Sequence, residues 1–80
     1  MVGDQRVARQ VGAALRRLRH ERDETQRQLA RSAGISGAQL AAYEGGCEQP
    51  SVAALATLVR ALGCSAEEFG KHLGPWGCLG

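Results

Sequence analysis

The residues best equipped for chemistry in this 80-residue chain are its arginines, and they are unevenly spread. Residues 1–32 hold Arg6, Arg9, Arg16, Arg17, Arg19, Arg22, Arg27 and Arg31 against Asp4, Glu21, Asp23 and Glu24, a balance of +4. Residues 33–80 hold only Arg60 and Lys71 against Glu44, Glu48, Glu67 and Glu68, a balance of −2. A guanidinium stays charged at physiological pH and forks onto carboxylates and phosphates. The net charge of +2 therefore conceals a basic half that suits a polyanion. Arginines on helices are also commonly just solvated, and their number alone does not separate the two readings.

Other chemistries find little support. Cys47, Cys64 and Cys78 are odd in number and lack the C-x-x-C spacing of a zinc site. No signal peptide and no apolar run of membrane-spanning length accompanies them, so the expectation is three reduced thiols in a cytoplasmic protein with no membrane segment. Cys64, between Gly63 and Ser65, is expected to be buried at a turn between helices. A metal or redox site built from Cys64, His72 and Cys78 is the minor alternative. No Cys–His, Ser–His or paired-carboxylate arrangement stands at an interpretable spacing, and 80 residues leave little room for a pocket. The chain is read as a non-enzyme without cofactor or metal.

The elements that must position the polar residues are helical. Ala is abundant, β-branched residues are scarce, and the length supports one domain. Val7, Val11, Leu15 and Leu18 share one stripe of a first helix over 5–22, capped by Asp4 and ending in the charged run from His20 to Glu24. Thr25 followed by Gln28 has capping-box spacing and opens a short second helix, which Gly34 closes. Ser36 caps a third helix through Glu44, with Leu40 and Tyr43 as its buried side. Residues 45–50 read as a loop. Ser51 caps a fourth helix with Val52, Leu55, Leu58, Val59 and Leu62 as its apolar stripe, ended by Gly63. Ser65 caps a fifth, with Glu68 at the capping-box position and Phe69 turned inward. Domain limits of 5–73 follow, with 74–80 as a flexible tail.

Two short helices joined by a glycine-containing turn, Thr25 to Glu44, form a helix-turn-helix unit. Its steep crossing lets the second helix project into a DNA major groove about 12 Å wide. The N-terminus of the first then offers backbone N–H groups, and the amide of Gln26, to a phosphate.

At these residues the chain resembles the XRE, or lambda-repressor-like, DNA-binding domains. The resemblance begins at Leu15-Arg16-Arg17-Leu18-Arg19 and continues through Thr25-Gln26, Leu29-Ala30 and Ala33-Gly34-Ile35-Ser36. It goes on with Leu40, Tyr43-Glu44, Gly46, Pro50-Ser51, Leu55 and Ala61-Leu62-Gly63, covering about residues 7 to 73. It implies an all-α, compact five-helix fold with the helix-turn-helix at helices 2 and 3. It also implies an ion pair between Arg19 and Glu44, a phosphate contact for Gln26, and a base-facing surface of Ser36, Gly37, Ala38, Gln39 and Ala42. Arg16, Arg17, Arg27 and Arg31, with backbone amides at Gln26 and Val52, remain for phosphates. The implied activity is transcriptional regulation on double-stranded DNA, by the family's habit as a homodimer on two half-sites.

Three departures bear on that expectation. Gly37, Ala38, Ala41 and Ala42 offer no side-chain hydrogen bond, so base reading falls to Gln26, Ser36 and Gln39. The loop after the third helix carries Gly45, Cys47 and Glu48 where the family places cations, and no Lys or Arg lies between Ala33 and Val59. Glu24 stands where the family has an apolar residue. The competing reading is a protein-interaction module that kept the fold but lost strong DNA binding, with the tail around Trp76 meeting a protein partner or a second copy.

Overall fold

The structure is a computed structural model that describes residues 5–71. It contains α1 (Gln5–Glu21), α2 (Gln26–Ala33), α3 (Gly37–Glu44), α4 (Val52–Ala61) and α5 (Ala66–Lys71), with no strand among the described residues. The expected cap at Asp4, the end of α5 at Leu73, and every expectation for His72, Trp76, Cys78 and the 74–80 tail fall outside the described residues.

Local chemistry sets the helix limits. Thr25 Oγ1 accepts from the Gln28 N–H at 3.0 Å while Gln28 Oε1 accepts from the Thr25 N–H at 2.9 Å, so α2 opens on the reciprocal box its spacing predicts. Ser36, Ser51 and Ser65 each accept a backbone N–H three residues on, at 3.0, 3.1 and 3.0 Å. The Glu68 carboxylate, expected to complete a box at α5, lies 3.6 Å from Arg22 Nη2. Gly34, with φ 74°, ends α2 in the left-handed conformation. α1 ends at Glu21 rather than Arg22, and Asp23 supplies the left-handed residue of that turn at φ 55°. Asp tolerates this region because its short side chain is polar and unbranched at Cβ.

The apolar stripes meet in one core. Val11, Ala14, Leu15 and Leu18 of α1 pack with Leu29 and Ala30 of α2, Leu40 and Tyr43 of α3, Leu58 of α4, Leu62 just beyond α4, and Phe69 of α5. α3 is pressed between α1 and α2, and this fixes the helix whose outer face matters most. Gly12 makes the α1–α3 approach feasible. A Cβ built there would stand 2.2 Å from the Tyr43 carbonyl oxygen and 2.7 Å from that of Glu44.

Two core expectations need correction. Val52 does not join the buried stripe of α4: it is 87% exposed, and Leu55 and Val59 are only half-buried. The inward stripe of so short a helix is held by Leu58 and the following Leu62, leaving Val52, Leu55, Ala56, Val59, Cys64 and Phe69 to line an open apolar groove edged by Arg60. Cys64 is half-buried rather than buried, because its thiol reaches that groove, 3.8 Å from the Val59 carbonyl oxygen. Desolvation pushes the thiol above its ordinary pKa; Arg22 works against this and Glu68 adds to it.

Candidate nucleic-acid interface

α3 presents an unobstructed outer face. Ser36, Gly37, Ala38 and Ala41 are exposed, and Gln39 and Ala42 are half-buried. With no Cβ at Gly37 and only methyls at Ala38 and Ala41, nothing bulky stands between the helix backbone and an incoming surface. Burial of Leu40, Tyr43 and Glu44 on the opposite side fixes which face looks outward.

Arginines line a cleft at each end of α3. Exposed Arg27 and Arg31 on α2 line a cleft with Gln26, Ala30, Ile35 and Gly37, at the start of α3. Exposed Arg16 and Arg17 on α1 line a second cleft with Ala13, His20, Glu21 and Glu44, at its end. The four cations expected to meet phosphates are thus gathered in two pairs, one at each end of α3. Val52, whose backbone amide was assigned the same role, begins α4 beyond the loop.

Beneath the face lies a buried polar hub. Arg19 Nε donates to Glu44 Oε2 at 2.7 Å and Arg19 Nη2 to Glu44 Oε1 at 3.0 Å, with side-chain exposures of 9% and 3%. This is the expected ion pair, in its bidentate form. Arg19 Nη1 also donates to the Glu24 carbonyl at 2.8 Å, tying the turn before α2 into the hub. Gln26 Nε2 donates to Glu44 Oε1 at 3.0 Å, so the amide expected to face a phosphate leans on the hub. Three helices are joined through one carboxylate. Glu24, at the family's apolar position, is half-buried, and its Oε1 is buried without a hydrogen-bond partner.

Gln39 has a parallel partner. Its Nε2 donates to Glu48 Oε1 at 3.0 Å, on the exposed side of the molecule. The loop carrying Glu48 folds back onto α3: the N–H groups of Cys47 and Glu48 donate to the Ala42 carbonyl at 3.0 and 3.3 Å. Gly46, at φ 77° and close enough to Arg9 that a Cβ would meet its Cγ at 2.8 Å, makes the reversal.

Sequence reasoning missed three of these features. Gly12 had a usable signal, since glycine inside a helix costs about 1 kcal/mol against alanine and so asks for a packing reason. Arg22 had none: it donates through Nε to the Leu62 carbonyl and holds the end of α1 on the turn after α4, a pairing forty positions apart. The Gln39–Glu48 bond depends on the loop's reversal, and composition alone marks that segment only as a loop.

A family model described as a helix-turn-helix domain matches residues 10–70. A comparison with curated proteins gives no match. Among solved structures, the clp gene regulator ClgR from Corynebacterium glutamicum superposes with a TM-score of 0.80 at 31% identity, over 84% of this chain and 87% of that one. The restriction-modification controller protein C.Esp1396I, solved as a tetramer with its natural 35 base-pair operator, shares the fold with a TM-score of 0.81 at 19% identity, over 92% of this chain and 96% of that one. With its two short helices crossing at a glycine turn, its arginine–glutamate hub and a match over most of its length, the chain belongs to the helix-turn-helix domain family, the DNA-binding module of transcriptional regulators.

Proposed function

We propose that the chain regulates transcription by laying α3 in the major groove of double-stranded DNA, acting as a homodimer on two half-sites. The observation that carries this reading is the bare outer face of α3 with an arginine pair at each end. Arg16, Arg17, Arg27 and Arg31 meet phosphates, as does Gln26. Ser36 and Gln39 meet base edges, and Gly37, Ala38 and Ala42 let the backbone come close and pack on thymine methyls. The gene-regulator and operator-bound descriptions of the two similar structures support the same class of activity. The apolar groove of α4 and α5 supports a second copy as its cover, since 87%-exposed Val52 beside Leu55, Val59 and Phe69 is a poor surface to leave in water. The protein works by binding rather than catalysis, in the cytoplasm, with residues 5–73 as the working unit.

A protein-interaction module is the second reading. One observation favours it: the two amides best placed to read DNA are already tied to carboxylates, and Glu48 adds a negative charge beside the reading helix. Affinities of three forms for one selected and one scrambled duplex, across a salt series, separate the two. Gln39→Ala is expected to weaken binding to the selected duplex by about 1–3 kcal/mol while leaving the scrambled one nearly unchanged. Arg27→Ala is expected to weaken both alike and reduce the salt slope by about one. An unchanged selected-to-scrambled ratio for Gln39→Ala puts the interaction module ahead.

A further inference from the structure

The tether on Gln39 has a consequence for which base that side chain selects. A primary amide carries two N–H donors and one carbonyl acceptor. Gln39 commits one N–H to Glu48 Oε1 at 3.0 Å. Both ends of the tether are held: the Gln39 backbone N–H is capped by Ser36 Oγ at 3.0 Å, and the Glu48 N–H bonds the Ala42 carbonyl of the same helix at 3.3 Å. One donor and one acceptor remain on the outward amide.

The four bases differ in what they ask of such a group. In the major groove adenine presents the N6 donor and the N7 acceptor, matching one acceptor and one donor. Guanine presents two acceptors, O6 and N7, and asks for two donors. An untethered glutamine can turn both N–H groups toward guanine, whereas Gln39 has one left. We infer that Glu48 is a specificity-determining residue: by occupying one N–H of Gln39 it selects adenine against guanine at the base pair that Gln39 faces. The inference rests on the DNA-binding reading above and adds to it a role for a residue whose charge alone predicts only repulsion of phosphate.

The test pairs selection of bound duplexes from a random pool with NMR of the free protein. The wild-type chain is expected to enrich adenine over guanine by about tenfold at the position that Gln39→Ala randomises. Glu48→Gln retains a carbonyl acceptor for the tether and is expected to keep that ratio, even as lost repulsion raises affinity for every duplex. Glu48→Ala frees the second N–H of Gln39 and is expected to lower the ratio about twofold, because a free glutamine amide keeps its own match to adenine. In the absence of DNA, the side-chain amide protons of Gln39 are expected to change chemical shift and to exchange faster with water in Glu48→Ala. A ratio unchanged in Glu48→Ala overturns the inference, as does a ratio that Glu48→Gln lowers equally, since charge and not the tether then governs. Gln39 amide protons indifferent to Glu48 overturn it without touching DNA binding. A pool from which the wild-type chain enriches nothing overturns the DNA-binding reading, and this inference with it.

Discussion

Two glutamines in this molecule donate Nε2–H to a glutamate at the same distance, 3.0 Å, and the bonds do different things. Gln26 bonds Glu44, a carboxylate 3% exposed that also takes both prongs of Arg19. Gln39 bonds Glu48 in the open, with water free to replace either partner. In a desolvated site each bond is strengthened by low dielectric, and losing one leaves a buried polar atom short of a partner. At the surface the same bond nearly breaks even with hydration. Geometry alone therefore says little about stability. The inner pair holds the fold, and the outer pair sets the orientation of a side chain.

The largest test of this contrast is Arg19→Ala. It leaves the Glu44 carboxylate buried without its cation, and the expected loss is about 3–5 kcal/mol in chemical denaturation. Replacing both partners, Arg19→Met with Glu44→Leu, is expected to recover most of that loss, because no charge is then left unpaired in the interior. A double variant as unstable as Arg19→Ala would mean that the hub stabilises by more than avoiding stranded charge.

Next in size is Gly12→Ala, which removes no polar group. The added methyl would meet the carbonyl oxygens of Tyr43 and Glu44, both backbone atoms that cannot swing aside. α1 and α3 must separate, at an expected cost of about 1–3 kcal/mol read from the denaturation midpoint. Because that movement also opens the Arg19–Glu44 fork, the cost is expected to shrink in the Arg19→Met, Glu44→Leu background. Purely additive costs would show the glycine and the hub to be independent.

These features also mark how far the sequence was legible. The limits of α2 to α5 could be read because each of these helices starts after a Ser or Thr and α2 ends on Gly34, cues that act within a few residues. The Arg19–Glu44 pair could be read only through the family resemblance, since no local rule links residues twenty-five apart. Gly12 was marked by being a glycine inside a helix, but what it packs against stayed hidden, as did the partner of Arg22, because both lie across the core. Val52 was misplaced because helical spacing gives a stripe but not its width, and α4 has enough core contact to bury only part of it. The site residues could be named one by one, whereas their attachment to Glu44 and Glu48 depends on where a loop turns back.

The smallest expected effect is the sharpest on the comparison. Glu48→Ala removes a hydrogen bond of the same length and chemistry as the one at Gln26. Both partners there can turn to water, and no charge is stranded, so stability is expected to change by no more than about 0.5 kcal/mol. The backbone bonds from Cys47 and Glu48 to the Ala42 carbonyl do not involve the deleted carboxylate, so the loop keeps its anchor on α3. Thermal and denaturant unfolding of Glu48→Ala beside the wild-type chain measures this directly. A loss of about 1.5 kcal/mol or more would place the outer bond in the energetic class of the buried hub. The division between a pair that holds the fold and a pair that aims a side chain would then fail.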